Sequence, residues 1–131
     1  MDLNRSPETI AYAADAEVRA LNHRTNDSGA FTYPGEVQAT ACGLNALLLK
    51  LPQALNQLAS GLVSVQDRQD LHTYDNSDAD EIVDMSNEDF LSAAAHVRKA
   101  QAVLQLAVNR LAYLGAQVPE DEADDEATVA G

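Results

Sequence analysis

The sequence predicts an all-α protein: an antiparallel bundle of three helices, or of four if the central helix divides at Pro52. Three observations carry this reading. Val37, Ala41, Leu44, Leu48, Leu51, Leu55, Leu58, Leu62 and Val65 step through the middle of the chain at intervals of four and three, the spacing of a helical seam packed against other helices. Phe90, Val97, Leu104, Leu111 and Val118 recur every seven residues, with Ala93, Ala100, Ala107 and Leu114 between them. Hydrophobic residues make up 46% of the chain, mostly Ala, Leu and Val. Ala and Leu suit a helix because neither loses much rotamer freedom there.

The first helix is expected to start at Ser6. Ser6 can cap it, Pro7 fits the first helical position and Glu8 complements the dipole. Ile10, Ala14, Val18 and Leu21 lie near one face, and the helix should fade by Asn22-His23. Asn26, Asp27, Ser28 and Gly29 then give a loop composition.

The second helix is expected to begin near Pro34 with Glu36 in its first turn. Its seam crosses Pro52, which removes one backbone hydrogen bond and crowds the preceding turn. The helix therefore either bends near Leu48–Pro52 or divides there. The unbroken spacing, and the lack of a capping residue before Pro52, favour continuity. Gly43 and Gly61 would mark close approach of a neighbour. Lys50 is the only charged residue between Val37 and Val65. Leu47, Leu49 and Val63 are apolar yet lie off the seam. A helix with a wet face normally carries more charge, so burial on more than one side is expected: either this is the central helix of the monomer, or Leu47, Leu49 and Val63 belong to an interface with a partner.

Residues 66–85 read as an acidic connector, and Ser86 with Asp89 as the capping box of a last helix from about Asn87 to Gln117. The domain is expected to span residues 1–117. Residues 118–131 form an acidic tail expected to be disordered.

The net charge is −13 and it is unevenly spread. Residues 67–89 hold nine acids and one base, and residues 118–131 hold six acids and no base. Such runs repel and stay solvated. Asp75, Asp78, Asp80, Glu81 and Asp84 could also dock a basic partner. Direct nucleic-acid binding is disfavoured, because phosphates need a cationic face.

No catalytic, cofactor or metal site emerges. His23, His72 and His96 share no ligand spacing. Asn76, Asp78 and Asp80 alternate like the start of a calcium loop, but Glu81 replaces its glycine and Asn87 its final glutamate. Arg19 and His23 lie one helical turn apart and read as a surface pair. No phosphate-binding glycine motif is present. The single cysteine, Cys42, suits a reducing cytoplasm. The polar first residues carry no export signal, and no stretch is apolar enough for a membrane span. The expected location is the cytoplasm.

The stretches Tyr33-Pro34-Gly35-Glu36-Val37, Leu51-Pro52-Gln53-Ala54-Leu55-Asn56-Gln57-Leu58 and Asn109-Arg110-Leu111-Ala112-Tyr113-Leu114-Gly115 resemble small all-helical proteins of actinomycetes. The likeness covers about residues 20–117. It implies an all-helical cytoplasmic protein and carries over no functional residue.

The role expected from these features is binding, not catalysis. A regulatory or adaptor protein would self-associate as a homodimer, or bind another helical protein, through its under-charged central helix. The alternative is an acidic inhibitor or nucleic-acid mimic that captures a basic nucleic-acid-binding protein.

Overall fold

The computed structural model describes residues 1–115. They form three α-helices, α1 (Pro7–Thr25), α2 (Pro34–Arg68) and α3 (Ala79–Leu111), with no strand among the described residues. The chain falls into two compact units, one holding Met1–Val37 and the other Gln38–Leu114.

In the first unit, Ser6 caps α1 as its sequence position predicts. Its hydroxyl accepts from the Thr9 amide at 3.2 Å, and Pro7 follows at the first helical position. The helix runs two residues beyond His23. His23 and Arg24 complement the dipole of the last turn, and the Thr25 hydroxyl donates to the Leu21 carbonyl at 2.8 Å. Before α2, the Glu36 carboxylate accepts from the Thr32 amide at 2.7 Å, a reach-back that fixes where the helix begins.

The second unit is a helical hairpin. α2 is one continuous helix with Pro52 inside it, so it does not divide there. Side-chain hydrogen bonds set the pairing. Gln38 reaches the Val108 carbonyl, Asn45 bonds Gln101 and Gln105, and Gln66 bonds Asp80. As the α2 number rises, the α3 number falls by the same step, so the helices are antiparallel. The same register brings Pro52 level with Ala94 and Ala59 level with Asn87.

The seams differ from the expected ones in a regular way. In α2 the buried residues are Asn45, Pro52 and Ala59, whereas Leu58 is 53% exposed. In α3 they are Val83, Ala94 and Val108, whereas Ala100 and Ala107 are exposed. Ala41, Leu48, Leu55 and Leu62 keep their expected places. Leu44, Leu51 and Ala93 are half-buried as well, but the most deeply buried positions lie one residue further on, at 45, 52 and 59 in α2 and at 94 and 108 in α3, and Leu58, Ala100 and Ala107 are left exposed. Small residues win these positions because helix axes approach most closely where side chains are short.

The connector is shorter than expected. α2 continues to Arg68 and α3 begins at Ala79, which leaves residues 69–78 as the loop. Asp78 is the cap of α3, accepting from the Asp80 amide at 3.0 Å, and Ser86 and Asp89 lie within the helix. The physical reason is electrostatic. Asp80 and Glu81 stand in the first turn of α3, where negative charge favours helix formation. α3 ends at Leu111 rather than near Gln117. The tail 118–131 lies outside the described residues. A side chain added at Gly43 or Gly61 meets nothing within 4 Å, so no neighbour in this chain requires either glycine.

Candidate functional site

Three surfaces of the hairpin could carry a function: its acidic loop end and its two long sides. At the loop, Thr73 donates to the Ser77 carbonyl at 2.7 Å, and Asp75 accepts from both the amide and the hydroxyl of Ser77. Asn76 adopts φ 64°, a left-handed conformation that asparagine tolerates. His72 and Tyr74 meet edge to face at 5.7 Å. Below them, Leu62, Leu71, Ile82 and Val83 contribute to an open depression of about 540 Å³.

The five acids expected to dock a partner are thus divided by structure. Asp75 shapes the loop, Asp78 caps α3, and Asp80 accepts from Gln66 at 2.9 Å. Glu81 and Asp84 are exposed on the first turns of α3. The Ser77 hydroxyl, and then its amide, hold the Asp75 carboxyl below the ordinary carboxylate range. The loop contact therefore persists above the pKa of the unfolded chain and is lost as pH falls through the depressed folded value. An NMR titration of the side-chain carboxyl should place Asp75 below the ordinary carboxylate range. Ser77→Ala should raise it toward that ordinary range, and an unchanged midpoint would remove the Ser77 contact as the cause.

The two long sides differ chemically. Leu48, Leu49, Pro52, Gln53, Asn56, Gln57, Ser60, Arg98 and Gln101 line an open groove of about 490 Å³ along one of them. Its surface is mostly apolar, with the amides of Gln53, Asn56, Gln57 and Gln101 and the Arg98 guanidinium set among Leu48, Leu49 and Pro52. Since Leu49 and Asn56 share it with Arg98, the opposite side holds Leu44, Leu51, Leu58 and Val65 of α2 with Ala93, Ala100 and Ala107 of α3. Leu58, Ala100 and Ala107 are exposed there while Leu44, Leu51, Val65 and Ala93 are half-buried, and Asp89, one turn before Ala93, shares this side.

The three residues expected at an interface do not form one patch. Leu49 is 59% exposed and Val63 39% exposed, and both flank the seam on the groove side. Leu47 is half-buried and lies about 160–200° around α2 from them, beside the leucine row.

A polar chain that sequence reasoning missed crosses the hairpin. Gln101 donates to Asn45 at 3.0 Å, Asn45 donates to Gln105 at 2.7 Å, and Gln105 donates to Asn109 at 2.9 Å. Its signal was available: Asn45 and Gln101 stand seven residues from Pro52 and Ala94. An apolar seam read from hydrophobicity alone passes over them. Asn87 Oδ1 is buried with no hydrogen-bond partner.

Arg19, Asn22, His23 and Asn26 line a shallow open site on α1, with no carboxylate among them. Cys42 is exposed and unpaired by any disulfide. Among the described residues no group of three or more His, Cys, Asp or Glu is placed to hold a metal ion, and no helix is long and apolar enough to cross a membrane. No family model, curated protein or solved structure matches the chain.

Proposed function

We propose that this protein works by binding rather than by catalysis, as a helical adaptor that self-associates through α2. The observation that supports this most is the thinness of the hairpin's own core. Its buried apolar side chains are Ala59, Val83, Ala94 and Val108, and no large side chain is fully buried. Meanwhile Leu49, Leu58, Ile82, Met85, Leu91, Val103 and Leu106 are all exposed. Burial contributes about 25 cal/mol per Å² of apolar surface, so small alanine and valine contacts offset little of the entropy lost on folding. Small domains in this position depend on disulfides, metals or association. One cysteine in the chain rules out an internal disulfide, which leaves association as the economical solution.

Light scattering at micromolar concentration should give a dimer mass. Because each copy carries a net charge of −13, adding salt from about 0.05 to 0.5 M should strengthen the dimer by screening repulsion. A cooperatively folded monomer throughout that range would remove this reading.

The gathering of acids at the loop end favours a second reading, capture of a basic partner such as a nucleic-acid-binding protein. Its mark is the opposite salt response: capture should weaken as salt rises. Neutralising Glu81 and Asp84, which hold no loop contact, should weaken capture without loosening the hairpin.

A further inference from the structure

We infer that the second copy seats on the groove side of the hairpin, turned end for end about the level of Leu91, so that Arg98 of each copy meets Asp84 of the other. This rests on the self-association proposed above and names its face and register.

Spacing and exposure define the face. Asp84, Glu88, Leu91, Ala95, Arg98 and Ala102 follow one another along α3 at intervals of four and three, and all six are exposed. That spacing draws one stripe along a helix, and Arg98 places the stripe beside the groove. Across the groove, α2 carries a second stripe of the same spacing: Ala46, Leu49, Gln53, Asn56, Ser60 and Val63, with no charge among them. Leu49 and Leu91 stand on these stripes 59% and 53% exposed.

Charge decides how a second copy lies on this face. Among the described residues Arg98, Asp84 and Glu88 form no ion pair. Asp84 and Arg98 are fourteen residues apart on one helix, roughly 21 Å at 1.5 Å per residue, so they cannot meet within a copy. They stand seven residues to either side of Leu91, however. A two-fold axis across the helices at Leu91 therefore brings each Arg98 level with the partner's Asp84, twice over, and Leu91 against the partner's Leu91. Asp67 and Asp80 come level with the partner's Gly43 and the partner's Ala102, so no acid of the face opposes an acid. A two-fold axis parallel to the helices would keep every level and set the two acidic loop ends side by side, which like charges disfavour.

The amides suit the same arrangement. In the hairpin register Leu91 stands level with Leu55, so Asn56 falls beside the axis and near the partner's Asn56, and Gln53 comes level with the partner's Gln57. An amide both donates and accepts, so groups that lose water in the interface find partners of their own kind.

The test is a charge swap read by light scattering. Wild-type protein should be dimeric. Arg98→Glu and Asp84→Arg should each weaken the dimer roughly tenfold, and the double variant should restore it. Asp84→Arg moves the net charge from −13 to −11, so its weakening cannot come from general repulsion. Leu49→Glu should weaken the dimer, and Leu58→Glu, on the other side, should leave it intact. Circular dichroism checks that every variant keeps its helices. In a Cys42→Ser background, oxidised Asn56→Cys should cross-link to itself. A double swap as weak as the single variants, or a mixed product of Asn56→Cys with Leu91→Cys and no self-cross-link, would overturn the end-for-end arrangement. Dissociation by Leu58→Glu but not by Leu49→Glu would overturn the face while leaving self-association standing. A monomeric wild type would overturn both.

Discussion

Replacing Ala94 with leucine is expected to destabilise the hairpin by about 2–3 kcal/mol and to lower its melting temperature by roughly 10–20 °C. Ala94 has 0% relative exposure, the lowest of its core. It stands level with Pro52, itself buried. The larger side chain has no space unless the two helices separate, and separation strains the hydrogen bonds from Asn45 to Gln101 and Gln105. Proline adds to the difficulty, since its ring cannot move aside by rotamer change. Ala95→Leu is the control. Ala95 is exposed one position on, so the same added volume should change stability by no more than about 0.5 kcal/mol. Thermal melts of the two variants compare them directly. Equal melting temperatures would mean that the helices do not pack at Ala94.

Replacing Asn45 with alanine is the second large effect, expected to cost about 2–3 kcal/mol. Asn45 accepts from Gln101 and donates to Gln105. Truncation removes both bonds and leaves a part-buried donor and a part-buried acceptor without partners, which costs more than the bonds contribute. Removing the orphans should therefore restore part of the loss: the double variant Asn45→Ala with Gln105→Ala should be less destabilised than the single losses added together. Asn45→Leu should behave differently. It fills the seam with apolar surface, so stability should hold or rise while a device that fixes register disappears. Denaturant melts read the first effect, and a broadened mass distribution in light scattering reads the second. An Asn45→Leu variant with unchanged stability and a single sharp species would show that apolar packing alone sets the register.

The helices themselves were legible because their determinants are local. Ser6, Pro7 and Glu8 specify the start of α1, and the alternating four-three spacing specifies α2 across Pro52. The start of α3 was misplaced because its acids suggested solvated loop. Asp78, Asp80 and Glu81 are equally good residues for a helix N-terminus, and only the backbone geometry chooses between the two uses. The seams were displaced by one residue for a different reason. Hydrophobicity locates the centre of all apolar surface on a helix, not the part that faces one neighbour. In α2 that centre lies to one side of the line touching α3, so the reading put exposed Leu58 on the seam and passed over Asn45 and Pro52 beside the half-buried Leu44 and Leu51. Asn45 and Gln101 were invisible to the same reading, since a core amide is explained only by partners on another helix. Leu49 and Val63 were separated from Leu47 for want of a second helix to define which side each one occupies.

The lengthwise sorting of charge gives the hairpin an electric dipole. Between Gln38 and Leu114, every acid lies from Asp67 to Asp89, at the end that carries the loop, while Arg98, Lys99 and Arg110 lie toward the open end. A cationic surface therefore exerts a torque as well as an attraction, and turns the molecule to arrive tip-first. That orientation stands the axes of α2 and α3 upright on such a surface, with the loop acids against it and Arg98, Lys99 and Arg110 held away from it.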